Sequence, residues 1–244
     1  MRLIVFILIL LTSPAYADAT LTPSNLTSGA SSTDATSYAT ASISPTAHAI
    51  VFVTAYSRQA VGTTTPTVTG DNLTCATEDS VLQGTNRQTT FIRCRSSATT
   101  TGTLTIDFAG NTQTSAAWIV DQFTGSDSTG SAGSGAIVQN PTATTGTSTS
   151  TSITLADLSK SSNIYYSVIS HDSTDNVTAG GTSTELAETE TAENSQTLQS
   201  QYGTDTTQTT SWLTNSRAWE AMAFEIKSAG TNLEGSTINA STIN

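Results

Sequence analysis

Few residues in this chain are equipped for chemistry. There are two cysteines, Cys75 and Cys94, and two histidines, His48 and His171. Each histidine stands alone at the end of an apolar segment, where a surface or satisfied polar role is the expectation. No His-Glu-x-x-His, no Gly-x-Ser-x-Gly and no phosphate-binding loop occurs. Gly130-Ser131-Ala132-Gly133-Ser134-Gly135 is rich in glycine, but no Lys-Ser or Lys-Thr follows it, and it reads as linker.

Carboxylates are plentiful. Asp71, Glu78, Asp79, Asp107 and Asp121 precede Glu185, Glu188 and Glu220. A glycosidase needs two such groups facing each other across a cleft, and sequence places no pair. No Asp-x-Asp-x-Asp run marks a calcium loop. The oxygen-rich stretch Asp172-Ser173-Thr174-Asp175-Asn176 is expected to be a turn. No metal site and no cofactor is expected. A sugar-binding platform would draw on Tyr165, Tyr166, Tyr202, Trp212 and Trp219. Tyr165 and Tyr166 are adjacent, so in a strand one of them is expected to face outward. Packing is the commoner use of such rings.

The cysteines are the most specific signal. Asn72 to Leu82 and Arg87 to Arg95 read as strands around the turn Gln83-Gly84-Thr85-Asn86. A hairpin centred on Gly84-Thr85 sets Leu82 against Arg87, Asp79 against Thr90 and Cys75 against Cys94. A two-residue turn makes the cysteines a hydrogen-bonded pair, and a four-residue turn makes them a non-hydrogen-bonded pair. The Cα separation is then about 5.5 or about 4.5 Å, and a disulfide bridges either. A Cys75–Cys94 disulfide is expected. The alternative is two buried free thiols.

The elements that position these residues are strands. Roughly a third of the residues are Ser or Thr, and only 11% are charged. Threonine suits half-exposed strands, and good helix formers are scarce. The net charge is −11. With so few Lys and Arg, no basic stripe exists for phosphates, which argues against nucleic-acid partners. It argues equally against anionic membrane surfaces.

Met1-Arg2, the apolar run Leu3 to Leu11 and Ala15-Tyr16-Ala17 form a secretory signal, residues 1–17. The run is too short to span a bilayer. Secretion is the expected localisation, extracellular or periplasmic, with no membrane insertion of the mature chain. Four triplets have the form of glycosylation acceptors: Asn25-Leu26-Thr27, Asn72-Leu73-Thr74, Asn176-Val177-Thr178 and Asn239-Ala240-Ser241.

Four ordered matches relate two stretches of the chain. Ala35 to Ile43 matches Ser148 to Leu155, and Ala49 to Ala55 matches Asn163 to Ile169. Asn72 to Thr77 matches Ser183 to Glu188, and Ser115 to Phe123 matches Ser216 to Phe224. Both closing segments carry Trp and then Phe five residues on. Trp and Phe so spaced point to opposite faces of a strand, one to a core and the other to solvent or to the other half.

The expected fold is all-β, a duplicated antiparallel sandwich or jelly roll with about six strands per half. Whether the halves pack as one unit is open. The expected divisions are a polar leader at 18–34, a first repeat at 35–125, a Gly/Ser/Thr-rich connector at 126–146, a second repeat at 147–227 and a polar tail at 228–244. In the tail, Leu233, Ile238 and Ile243 recur every five residues. This resembles the pentapeptide-repeat pattern, although a flexible tail is the simpler reading.

The Thr-rich opening strand, Ala49 to Ala55, Gly70 to Thr77, and Ala117-Trp118 through Phe123-Thr124-Gly125 resemble a loosely defined group of tandem β-sandwich proteins. These occur among bacterial secreted proteins and phage structural proteins. The resemblance covers about Thr36 to Lys227. It implies architecture and no shared catalytic residues. The disulfide has no counterpart in the second half, where Leu186 aligns with Cys75. The expected function is a secreted, non-catalytic structural or adhesive protein that meets a glycan or protein surface. A carbohydrate-binding module comes second and a polysaccharide-degrading enzyme third.

Overall fold

The structure, a computed structural model, describes residues 19–191, 196–212 and 215–230. The expected signal peptide and the five-residue tail period lie outside these residues. The described chain is built almost wholly of antiparallel strands. The first eight are β1 (Thr22–Ser31), β2 (Ser37–Ala39), β3 (Ile50–Gln59), β4 (Thr67–Gly70), β5 (Thr74–Gln83), β6 (Arg87–Arg95), β7 (Leu104–Asp107) and β8 (Gln113–Thr124). They make a five-stranded sheet, β1-β8-β3-β6-β5, and a three-stranded sheet, β2-β7-β4.

The next eight are β9 (Ile137–Ser148), β10 (Ser150–Thr154), β11 (Ile164–His171), β12 (Thr178–Ala179), β13 (Thr184–Thr191), β14 (Gln196–Gly203), β15 (Thr207–Ser211) and β16 (Arg217–Ile226). They make the sheets β13-β14-β11-β16-β9 and β10-β15-β12. Raising every label of the first half by eight reproduces the second half's two strand orders.

Apolar residues sort into layers. Val51, Val53, Ile92, Leu104, Ile106 and Trp118 fill the space between the first half's two sheets. Ile153, Tyr165, Ile169 and Trp212 do the same in the second half. A third core lies between the halves. There Phe52, Phe91 and Phe123 meet Tyr166, Met222 and Phe224. Phe91 stacks on Phe224 with ring centroids 3.9 Å apart, and Phe52 stacks on Tyr166 at 5.4 Å. The fold is therefore a stack of four sheets, with the three-stranded sheets outermost.

This layering explains the sequence patterns. β3 reads Ile-Val-Phe-Val-Thr-Ala-Tyr because its sheet is covered on both faces, and nearly every residue in it is buried. β7 and β10 alternate buried and exposed because one face meets solvent. The closing Trp and Phe divide as their spacing requires. Trp118 packs in the first half's own core and Phe123 between the halves. Trp219 packs against the second half's own core and Phe224 between the halves.

The stacked sheets run their strand orders in opposite senses. β1 lies against β13, β8 against β14 and β5 against β9. Each half thus offers the same face to the other, the arrangement of a twofold dimer contained in one chain.

A second device recurs. Gly29 is paired with Trp118, and Gly146 with Trp219. In both cases the indole lies over the glycine. A Cβ there would sit 2.8 Å from Trp118 Cζ2 or 2.5 Å from Trp219 Cζ2. Only glycine allows that approach.

Three sequence expectations need correction. The polar leader is largely strand β1, held along β8. The connector contains most of β9, held along β16. Among the described residues each half contributes eight strands, not about six. Edge strands rich in Ser, Thr and Gly carry little pattern of their own, because the partner strand supplies their hydrogen bonds. At the ends of the described chain, Ala19 N donates to Ala229 O (2.9 Å) and Ala229 N to Gly125 O (2.8 Å).

Candidate functional site

The disulfide forms between Cys75 and Cys94, with Cα atoms 4.0 Å apart. The hairpin reaches this register by a route the sequence did not show. Gln83 pairs with Arg87 around a three-residue turn, Gly84 to Asn86, in which Gly84 has φ +67°. That turn pairs Leu82 with Gln88 and Asp79 with Phe91. A bulge between Thr77 and Asp79 then restores Cys75 to Cys94. Glu78, the extra residue, accepts from Arg93 Nε at 2.8 Å. Arg93 also donates to the Ser131 and Ala132 carbonyls, at 3.0 and 2.6 Å. In the second half, counting from the Trp219 rung places Glu185 and Gln201 at the position of the two cysteines.

A cavity of about 70 Å³ opens beside the disulfide, lined by Thr67, Val68, Cys75, Ala76, Thr77 and Ile92. It offers no titratable group.

The aromatic candidates do not form a platform. Tyr165 and Tyr166 are both fully buried, since their sheet is covered on both faces. Tyr165 Oη donates to the Ala156 carbonyl at 2.5 Å, and Tyr166 Oη to Asp121 Oδ2 at 2.8 Å. Trp212 is buried against His171, ring centroids 4.9 Å apart. Trp219 is half-buried and donates to Ser148 Oγ at 2.8 Å. Tyr202 is half-buried and cross-strand from Tyr166. The expectation that Tyr165 or Tyr166 faces outward is therefore wrong.

Two of the carboxylate candidates lie sealed between the halves. Asp121 accepts from Tyr166 across the junction and from Asn25 Nδ2 at 2.8 Å. Burial raises its pKa, against hydrogen bonds from Ser200, Asn25 and Tyr166. Glu220 accepts from Thr89 Oγ1 of the other half and from Ser170 Oγ. Burial raises it to about 7, against those hydrogen bonds and the Arg87 charge. Arg87 in turn reaches Asp172 of the second half at 2.8 Å. These groups bind one half to the other.

Asp79, Asp107 and Glu188 serve local structure. Asp79 caps the Ser80 amide, and Asp107 the Ala109 amide. Glu188 accepts from Val177 N at 2.8 Å, and burial raises it. Gln199 Nε2 reaches Glu185 at 3.2 Å, so Glu185 and Glu188 gather on the edge strand β13. No group of three His, Cys, Asp or Glu able to hold a metal exists among the described residues.

Sequence reasoning passed over Glu225. Its carboxylate accepts from Gln139 Nε2, Ser159 N, Ser159 Oγ and Asn163 Nδ2, each at 2.7 Å. Burial works to raise its pKa, and these bonds outweigh it, so the group is held low. The available signal was an acid inside the apolar run Ala221 to Ile226. His171 is buried, and burial lowers it to about 4. Neither ring nitrogen has a partner at hydrogen-bonding geometry, although the Asp175 backbone comes close enough to oppose the shift.

The outward faces of the three-stranded sheets remain. In the second half, β10 and β15 present Ser150, Ser152 and Thr154 beside Ser211, Thr209 and Thr207. The Thr154 and Thr207 hydroxyls are 3.1 Å apart. In the first half, Thr67 and Thr69 flank Asp107 and Thr105. No helix among the described residues is long and apolar enough to cross a membrane. No protein family, no curated protein and no solved structure matches the chain.

Proposed function

We propose that this is a secreted, non-catalytic structural or adhesive protein, a tandem duplication whose halves are fused back to back. The observation that carries the reading is where the perturbed carboxyls lie. Asp121 and Glu220, both raised by burial, bond across the junction between halves. Catalytic groups need perturbed pKa values in a cleft. Here the perturbation is a by-product of assembly.

The duplication rests on the repeated strand orders and the repeated Trp-over-Gly rung. Secretion rests on residues 1–17, with the disulfide as chemical support. The contact surface is then the hydroxyl-bearing outer faces, which suit a neutral glycan or a protein surface.

Beads coated with the mature chain test this against cells and extracellular polymers. Adhesion is expected, and Thr154→Lys with Thr209→Lys should abolish it while leaving folding intact. Hydrolysis of a polysaccharide that disappears with Asp121→Asn or Glu220→Gln would overturn it.

A further inference from the structure

The two outer cores share a topology and differ in chemistry. In the first half, Val51, Val53, Ile92 and Cys94 meet Leu104 and Ile106. In the second, the same layer holds Thr151, Ser167, His171, Gln201, Thr210 and Trp212, all at 5% exposure or less. Ser167 and His171 share a face with Tyr165 and Ile169, which pack in that core.

These side chains occupy one layer. Ser167 is the cross-strand partner of Gln201, and Thr151 of Thr210. Gln201 Nε2 crosses to the Thr209 carbonyl at 3.3 Å, and the His171 ring lies on Trp212. Yet Thr151 Oγ1, Ser167 Oγ, Gln201 Oε1, Thr210 Oγ1, Trp212 Nε1 and both His171 ring nitrogens have no hydrogen-bond partner. A native core does not leave so many buried polar atoms unsatisfied.

The donor types choose what fills the layer. Trp212 Nε1 only donates, and Gln201 Oε1 only accepts. The hydroxyls and a neutral imidazole do both. A cation serves the acceptors alone and an anion the donors alone. Water serves every one of them, and buried water commonly makes about three such bonds.

We propose that the second outer core is a hydrated chamber. Internal water molecules bridge Thr151, Ser167, Gln201 and Thr210 and reach the Trp212 and His171 rings. The inference is independent of the adhesive reading.

Water-to-amide NOE spectra of the mature, disulfide-bonded chain test it. Long-lived water should give cross-peaks at the amides of Ser167, Gln201 and Thr210. Their absence there overturns the proposal. Thr210→Val supplies a second measurement. A hydrated site predicts a lower unfolding midpoint, because the bridging water loses a partner. A raised midpoint overturns the proposal, because it means a dry, orphaned hydroxyl was removed. Should the variant fail to fold, the spectra of the unsubstituted chain still decide.

Discussion

Glu220 and His171 stand on adjacent rungs of the β11–β16 ladder, face opposite cores, and are shifted by burial in opposite directions. Glu220 rises from 4.5 to about 7, and His171 falls from 6.5 to about 4. Between these limits the folded protein holds a proton on Glu220 that the unfolded chain releases. It lacks one on His171 that the unfolded chain binds.

Their effects on stability oppose each other. The Glu220 contribution falls as pH rises from 4.5 to about 7, since the unfolded carboxyl ionises there while the buried one keeps its proton. The His171 contribution rises as pH climbs from about 4 to 6.5, since the unfolded imidazole sheds its proton. Each amounts to about 3 kcal/mol at full extent. We expect Glu220→Gln to make stability increase with pH across this window and His171→Phe to make it decrease. Urea unfolding at several pH values checks both. Identical pH profiles for both variants and the parent would refute the assignment.

Breaking the disulfide should cost about 3 kcal/mol in the chain-entropy description. The bond closes a separation of 19 residues in the strand pair β5–β6. Cys75→Ser with Cys94→Ser, compared with the oxidised parent by denaturation, measures it. An unchanged midpoint would mean that the unfolded chain is already constrained there.

Gly29→Ala and Gly146→Ala should each destabilise by about 1–3 kcal/mol, the range of overpacked sites. Each new methyl meets an indole that must shift. Trp fluorescence and thermal melts would follow both. If only one of the two were costly, the rungs would not be equivalent.

Phe91→Ala should cost about 3–5 kcal/mol, and Phe224→Ala a similar amount. The rings stack on each other across the junction. The double variant should therefore cost less than the sum of the two, and a double-mutant cycle reads the difference. Strict additivity would show that the stacking contact carries no energy.

Much of this architecture was legible in the residues, for specific reasons. The apolar runs of β3 and β11 declared themselves because few residues interrupt them. The disulfide was legible although the turn was misjudged. A three-residue loop moved the register by one, and the Glu78 bulge moved it back. Bulges leave no periodic trace. The edge strand β1 and most of β9 beyond the short apolar segment Ala136-Ile137-Val138 were missed because their Ser, Thr and Gly residues follow no strong alternation. The burial of Tyr165 together with Tyr166 was also missed. One strand alternates its faces, but nothing in it says that both faces will be covered.

The hydrogen bond from Ala19 to Ala229 has a mechanical consequence. The described chain enters and leaves the stack at one pole. Tension applied between those two points would load that seam before it reached the ladders of β1 and β16. The first and last described residues therefore part from the stack side by side.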